Sequence, residues 1–285
     1  MKLRILVSTL LLSASHLASA QINQITPELT NIEQQLGGTV AVAVYNANTN
    51  ASWSYHGEQR VPMMSTFKTL ACAHLLYQAD SQRININQPI MINQSDILSY
   101  APVTTDRVGT SMTLAQLCNA TMLTSDNTAV NLVLNNIGGP QSVTQFIRTL
   151  DDKTTRLDRI EPHLNNVSVT ELRDTTTPIA INSTLYNLLY GHVLSEKARI
   201  QLKQWMMDNK VSNPLLRAVL PAGWHIADRS GYDNNYGSRG ITAAVWQQGK
   251  QPIMISIYLA QTGKPMADLN TAIAKIGQLI FTHLK

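Results

Sequence analysis

The sequence has 285 residues, 44% of them hydrophobic, 14% charged and 6% aromatic, enough chain to bury a sizeable core. That balance excludes a disordered, collagen-like or coiled-coil protein, and two cysteines exclude a multi-disulfide mini-scaffold. The formal charge of +4 partly belongs to the first twenty residues.

Those residues, MKLRILVSTLLLSASHLASA, place Lys2 and Arg4 before an apolar run from Ile5 to Leu12, then Ala18-Ser19-Ala20. This is the pattern of a secretory leader cut before Gln21. The apolar run is too short to act as a membrane anchor. The mature chain is then residues 21–285, with 20 basic against 18 acidic residues. No basic stripe survives in it, so no nucleic-acid partner is expected. No later segment is apolar enough to cross a membrane, so no stable membrane association is expected either. Export would permit Cys72 and Cys118 to pair, but buried free thiols fit the same residues.

Thr39 to Tyr45 alternates β-branched and small apolar residues, Asn46 to Asn50 is a turn, and Ala51 to His56 alternates again, predicting a hairpin. Helical text follows over Ser65 to Gln78, Ser125 to Asn136, Gln141 to Leu150, Ile179 to Leu194 and Glu196 to Asp208. Gly223 to Ser230, Arg239 to Gln247 and Pro252 to Gln261 read as three more strands, and Met266 to Leu284 as a last helix. The expected fold is α+β. A five-stranded antiparallel sheet, drawn from about 21–60 and 213–285, packs against an inserted all-helical subdomain of about 61–212. A cleft between the two is the expected place for chemistry. Thr154 to Thr177 has no sustained period and reads as an ordered Ω-type loop.

Ser65-Thr66-Phe67-Lys68 opens a helix that is apolar on nearly every face, the signature of a buried helix. A lysine there needs partners or a task. At i and i+3 it shares a face with Ser65, and burial favours the neutral amine that could take a serine proton. Ser65 also sits where helix N–H groups favour an oxyanion. A plain N-cap serine and a snorkelling lysine would explain the same tetrad. Ser125-Asp126-Asn127 opens another helix of the inserted region. There a hydroxyl could relay a proton and an amide could hold a carbonyl. Asp228-Arg229-Ser230-Gly231 sits on a strand, offering a cation, a hydroxyl and a close backbone approach.

Taken in order, these elements resemble the class A serine β-lactamases, with their Ser-x-x-Lys, Ser-Asp-Asn and Lys-Thr/Ser-Gly motifs. The irregular loop adds Arg159-Ile160-Glu161-Pro162-His163-Leu164-Asn165, similar to the family's Arg-x-Glu-x-x-Leu-Asn. The resemblance spans the mature chain. It implies that Ser65 is the nucleophile that opens a β-lactam, with Lys68, or Glu161 through a water, as the acylation base. Glu161 and Asn165 would hold the deacylating water, and Ser125 would protonate the β-lactam nitrogen. Asn127 would bind the side-chain amide, and the N–H groups of Ser65 and Tyr232 would form the oxyanion hole. Arg229, Ser230, Gly231 and Arg239 would bind the substrate end that carries a carboxylate, and Tyr100 would line the rim. Arg159 and Asp174 would close the Ω loop, with a cis Glu161–Pro162 bond. It also implies a Cys72–Cys118 disulfide and, with the export pattern, a Gram-negative periplasmic location. No Gly-rich phosphate loop appears, so no cofactor is expected, and nothing in the surface pattern requires an oligomer, so a monomer is expected.

Two departures bear on substrates. Arg229 replaces the usual lysine, as in the carbenicillinase branch, which implies a penicillinase that accepts carbenicillin. Arginine keeps the charge and adds a fork, but cannot lend a proton. Tyr232-Asp233-Asn234-Asn235 stands where relatives carry small residues. Rivals that acylate without turnover, a penicillin-binding D,D-peptidase or a β-lactam sensor, lack the hydrolytic base that Glu161 supplies. The seven histidines show no metal-ligand spacing, which argues against a zinc site. His74, Met63-Met64 and Trp205-Met206-Met207 read as core.

Overall fold

The protein is described by a computed structural model over residues 24–284. The expected leader lies outside the described residues. Helix α1, Thr26–Leu36, comes first, and it precedes the hairpin of β1, Thr39–Asn46, and β2, Ala51–Tyr55. This helix is absent from the sequence reading because only Leu29, Ile32 and Leu36 mark its buried stripe. Short strands β3 (Val61–Pro62) and β6 (Thr175–Thr176) pair with each other, as do β4 (Pro89–Met91) and β5 (Ser111–Thr113). Strands β7 (Trp224–Asp233), β8 (Ser238–Gln247) and β9 (Ile253–Ala260) complete a separate five-stranded sheet with β1 and β2. Its order is β2-β1-β9-β8-β7 and every pairing is antiparallel. Both chain ends therefore meet in one sheet, with β7 on its edge.

The period of two sends side chains to two separate cores. Val40, Val42, Val44, Ile253, Ile255, Ile257 and Leu259 face α1 and the last helix, α8, Met266–His283. On the other face Ala41, Ala227, Ala244 and Met254 join the helical core. Small residues there let α6, Pro178–Tyr190, lie close to the sheet. Asn182 of α6 donates to the carbonyl of Ala43 at 2.9 Å and accepts from Ser256 Oγ at 2.5 Å.

The inserted region places α2 (Phe67–Asp80) at its centre, with every residue from Phe67 to Leu76 buried. Around it lie α3 (Leu114–Thr124), α4 (Asn127–Asn136), α5 (Gly139–Arg148) and α7 (Glu196–Met207). Helix α3 was also not read from the sequence; its run is apolar without a clear stripe, and its start is a capping box of Thr113 and Gln116. Cys72 and Cys118 form a disulfide that ties α2 to α3. His74 is a core residue, stacked on Phe146 and bonded to Ser142 Oγ at 2.8 Å. Burial pushes its pKa down to about 4.

Candidate active site

Ser65 lies in a 3₁₀ turn, Met64–Thr66, that leads into α2. Met64 holds a left-handed φ of 49°, a sparsely populated conformation for a side chain of this size. Strand β7 fixes the turn from the other side. A Cβ at Gly231 would stand 2.6 Å from both Met64 Cβ and Ser65 N, so only glycine permits this approach.

The loop between α3 and α4 brings in the second motif. Ser125 closes α3 in the left-handed region at φ 68°. Asp126 is fully buried and caps α4 through Ala129 N at 2.8 Å. Its other oxygen accepts from the amides of Val103 and Thr104 at 2.9 and 2.8 Å. With its backbone locked, Ser125 Oγ donates to Ser65 Oγ at 3.2 Å. It accepts from Lys68 Nζ at 3.0 Å and from Arg229 Nη2 at 2.5 Å.

Lys68 is fully buried, and burial lowers its pKa to about 8, with Arg229 adding to the shift and Glu161 opposing it. Besides Ser125 Oγ, the amine donates to Ser125 O at 2.9 Å and to Asn127 Oδ1 at 2.6 Å. Its third neighbour of note is Glu161, whose Oε1 is 3.3 Å away. Among the described residues, the amine and Ser65 are joined through Ser125 Oγ rather than by a direct hydrogen bond.

Glu161 comes from the irregular loop and is almost fully buried. Its peptide bond to Pro162 is cis. Asn165 Nδ2 donates to Glu161 Oε2 at 2.8 Å. Glu161 Oε1 and Asn165 Oδ1 are both buried and accept no hydrogen bond among the described residues. The loop base is closed by Arg159 Nε and Asp174 Oδ2 at 2.5 Å, and Asp174 Oδ1 accepts from the amides of Asp158 and Arg159.

Arg229 is fully buried, and burial lowers its pKa to about 10 against the pull of Asp228. Its Nε and Nη1 donate to no group among the described residues. Arg239, on the neighbouring strand, donates to Asn270 Oδ1 at 3.0 Å and to the Gly231 carbonyl at 3.2 Å. Together these side chains border a cleft of about 520 Å³ lined by Ser65, Ser125, Asn127, Glu161, Asn165 and Ser230, among others. Its contents are a serine wired to buried cations, a carboxylate–amide pair facing it, and arginines suited to an anion.

The sequence model of the Beta-lactamase enzyme family matches residues 24–284. The chain belongs to that family. Beta-lactamase CARB-3 of Pseudomonas aeruginosa is 48% identical over 281 residues, 99% of this chain and 97% of that protein. Beta-lactamase AER-1 of Aeromonas hydrophila is 40% identical over 249 residues, 87% of this chain and 82% of that protein. The crystal structure of the chromosome-encoded β-lactamase of Vibrio parahaemolyticus superposes with a TM-score of 0.90 at 48% identity, covering 92% of this chain and 99% of that one. A last common ancestor of Gram-negative class A β-lactamases superposes at 0.89 with 38% identity, covering 92% and 99%.

In this class A β-lactamase Ser65, Ser125, Asn127, Glu161, Asn165, Ser230, Gly231, Tyr232 and Arg239 line one cleft, while Lys68 and Arg229 are fully buried behind it and reach it through Ser125 Oγ. Tyr100 sits half-exposed at its rim, its hydroxyl donating to the Thr124 carbonyl at 3.1 Å. Cys72, Cys118, Arg159 and Asp174 lie outside it. Strand β7 runs on through Gly231, Tyr232 and Asp233, three residues further than the sequence pattern placed it. Asp233 accepts from the amides of Asn235 and Tyr236 at 3.0 Å each, and so braces the hairpin end.

Three supports escaped the sequence reading. Asn131 grips the backbone of Glu161 from both sides, donating to its carbonyl at 2.8 Å and accepting from its amide at 3.1 Å. Its place at i+4 from Asn127, on the same face of α4, was the available signal. Tyr236 Oη donates to Asn166 Oδ1 at 2.9 Å and ties the β7–β8 hairpin to the loop. Ser212 reaches Ser230 and carried no signal.

Proposed function

We propose that this β-lactamase hydrolyses penicillins, carbenicillin included, through an acyl-enzyme on Ser65. The observation that carries this reading is the hydrogen-bonding of Ser125 Oγ. It donates to Ser65 Oγ and accepts from two buried cations, Lys68 and Arg229. A hydroxyl polarised from two sides is a good donor to a leaving nitrogen. As the ring C–N bond breaks, Ser125 gives its proton to that nitrogen and is reprotonated from Lys68. Ser65 Oγ forms the new ester bond as its own proton passes to the acylation base. The backbone N–H groups of Ser65 and Tyr232 are assigned to the oxyanion.

Deacylation is assigned to Glu161 and Asn165. Their two buried acceptor oxygens, Glu161 Oε1 and Asn165 Oδ1, suit the two hydrogens of one water. Glu161 takes one proton as that water attacks the ester, the bond from the carbonyl carbon to Ser65 Oγ breaks, and Ser65 Oγ regains a proton. This base weighs against the peptidase and sensor readings, in which the ester persists. Acylation itself is open to Glu161 through a water, or to Lys68 once it has given up its proton.

Arg229, Ser230 and Arg239 are assigned to the substrate's ring carboxylate, and Asn127 to its side-chain amide. Arg229 keeps its charge beside Ser125 through Nη2, and its Nε and Nη1 have no partner among the described residues. Carbenicillin adds a second carboxylate, and the arginine in place of lysine resembles the carbenicillinase branch. The first twenty residues are read as an export leader and the site of action as a Gram-negative periplasm, with the enzyme a monomer. Among the described residues, no helix is long and apolar enough to cross a membrane.

The test is steady-state hydrolysis of benzylpenicillin, carbenicillin and a third-generation cephalosporin by the mature chain, with mass spectrometry. Fast turnover of both penicillins and little of the cephalosporin is expected. A stable adduct on Ser65 without turnover would overturn the hydrolase reading.

A further inference from the structure

A buried polar chain runs behind Ser230, away from Lys68 and Glu161. Arg217 Nε donates to Asp228 Oδ2 at 2.9 Å, and Arg217 Nη2 donates to the carbonyls of Met206 and Met207 at 3.0 and 2.9 Å. Asn209 Nδ2 donates to Asp228 Oδ1 at 2.7 Å and to Ser212 Oγ at 2.7 Å. Ser212 Oγ then meets Ser230 Oγ at 2.8 Å. Asn209, Ser212 and Asp228 are buried, while Ser230 lines the cleft.

The chemistry of these groups fixes where each hydrogen goes. Asp228, paired with Arg217, accepts, so the Asn209 amide must present its NH₂ there. Asn209 Oδ1 accordingly accepts from the Val211 amide at 3.0 Å. The same NH₂ makes Ser212 Oγ an acceptor, and the single hydrogen of Ser212 points to Ser230. Ser230 Oγ thus accepts inside the protein. Its own hydrogen has no acceptor among the described residues, and Ser230 borders the cleft.

We propose that Ser212, held by Asn209, is a positioning residue that commits the Ser230 hydroxyl to donate into the cleft. A hydroxyl left to rotate presents a lone pair to an incoming carboxylate as readily as a proton. One whose lone pair is already engaged presents the proton, at no ordering cost when the anion binds. The ligand it favours is an anionic oxygen beside Arg229. This rests on the reading of Ser230 as part of the carboxylate site.

The experiment is a double-mutant cycle of Ser212→Ala and Ser230→Ala, read as kcat/KM for benzylpenicillin, with Ser212→Thr as the conservative variant. Ser212→Ala should lower kcat/KM roughly three- to tenfold, the worth of one well-placed hydrogen bond. Ser212→Thr, which keeps the hydroxyl, should stay within about twofold of the parent. In the Ser230→Ala background Ser212→Ala should have no further effect, because the two act as one unit. If Ser212→Ala does not fold, Ser212→Cys, a poor donor, takes its place in the cycle. An equal loss in both backgrounds overturns the relay and leaves the hydrolase reading standing. A parent chain that opens no β-lactam overturns both.

Discussion

Lys68 Nζ and Glu161 Oε1 lie 3.3 Å apart with both side chains sealed from solvent, yet the amine directs its three hydrogens at other oxygens. Ser125 O, Ser125 Oγ and Asn127 Oδ1 receive them. The carboxylate therefore has the ammonium's charge nearby without its hydrogen bond, and keeps Oε1 free to accept from a water. An amine with three acceptors in place is held as a cation.

Burial lowers the Lys68 pKa to about 8, so roughly nine-tenths of the amine is protonated at pH 7. The unfolded chain titrates at the ordinary value of 10.5. From this group alone, stability is fully gained above pH 10.5 and lost as pH falls through about 8, since the unfolded chain binds more protons in between. NMR of ε-carbon-labelled lysine should show one resonance with a midpoint near 8, missing in Lys68→Met. A Lys68 midpoint near 10.5 would contradict the burial argument.

Removing the Glu161 carboxyl separates the two halves of the reaction. In Glu161→Ala, Ser65, Lys68, Ser125 and Arg229 keep their hydrogen bonds. With Lys68 left as the acylation base, stopped-flow mixing with benzylpenicillin should give a burst of one equivalent, and the adduct should persist on Ser65 by mass spectrometry; loss of the burst would assign acylation to Glu161 as well. Turnover should fall by roughly a hundred- to ten-thousandfold, the range of a general base. Turnover near the parent's would remove Glu161 from deacylation.

What the sequence made legible is uneven, and the reason is physical. Ser65, Lys68, Ser125 and Glu161 stand in short motifs whose spacing sets their geometry, and β1, β8 and β9 carry a clear period of two. The supports lie elsewhere. Asn131 is 30 residues from Glu161, Ser212 is 18 from Ser230, and Tyr236 is 70 from Asn166. Each is a polar residue that reads as solvated surface until tertiary structure gives it a partner. Helices α1 and α3 were silent for opposite reasons: three apolar positions carry the first, and the second is apolar on too many faces.

Gly231 offers a test of the oxyanion geometry. Gly231→Ala would place Cβ 2.6 Å from Ser65 N and from Met64 Cβ. Both are fixed, one by backbone and the other by a turn already in the left-handed region. The Ser65 turn must then move from β7, and the Ser65 N–H loses its aim. We expect kcat/KM for benzylpenicillin to fall roughly a hundred- to a thousandfold, the cost of one oxyanion donor. Circular dichroism should remain that of a folded α+β chain. Near-parent activity would show that the Ser65 N–H is not needed.

The disulfide should bear on stability rather than chemistry. Cys72 and Cys118 are 46 residues apart, and closing a loop of that length stabilises by about 4 kcal/mol in the chain-entropy account. It joins α2, which carries Lys68, to α3, which ends at Ser125. Those two ends are independently held by Asp126 and by the Lys68 hydrogen bonds. The Cys72→Ala/Cys118→Ala variant should thus unfold at lower denaturant, by up to that amount, with kcat changed less than about twofold. A large fall in kcat would mean that the bridge also sets the Ser65–Ser125 geometry.

The Tyr236–Asn166 hydrogen bond spans the cleft side of the loop that carries Glu161 and Asn165. Gln261 Nε2 adds a second tie, donating to the Val167 carbonyl at 2.7 Å. Asn166 is next to Asn165, so this tie limits how far the amide of Asn165 can stray from Glu161. Tyr236→Phe removes the donor and keeps the ring. Because the bond is exposed, global stability should change by only about 0.5–1.5 kcal/mol. Local opening should be more sensitive, since such loops sit at the low-stability end of a fold. Hydrogen exchange at the amides of residues 165–167 should accelerate, and deacylation should slow several-fold while acylation holds. Unchanged protection at those amides would show that Gln261 and the Arg159–Asp174 pair hold the loop without Tyr236.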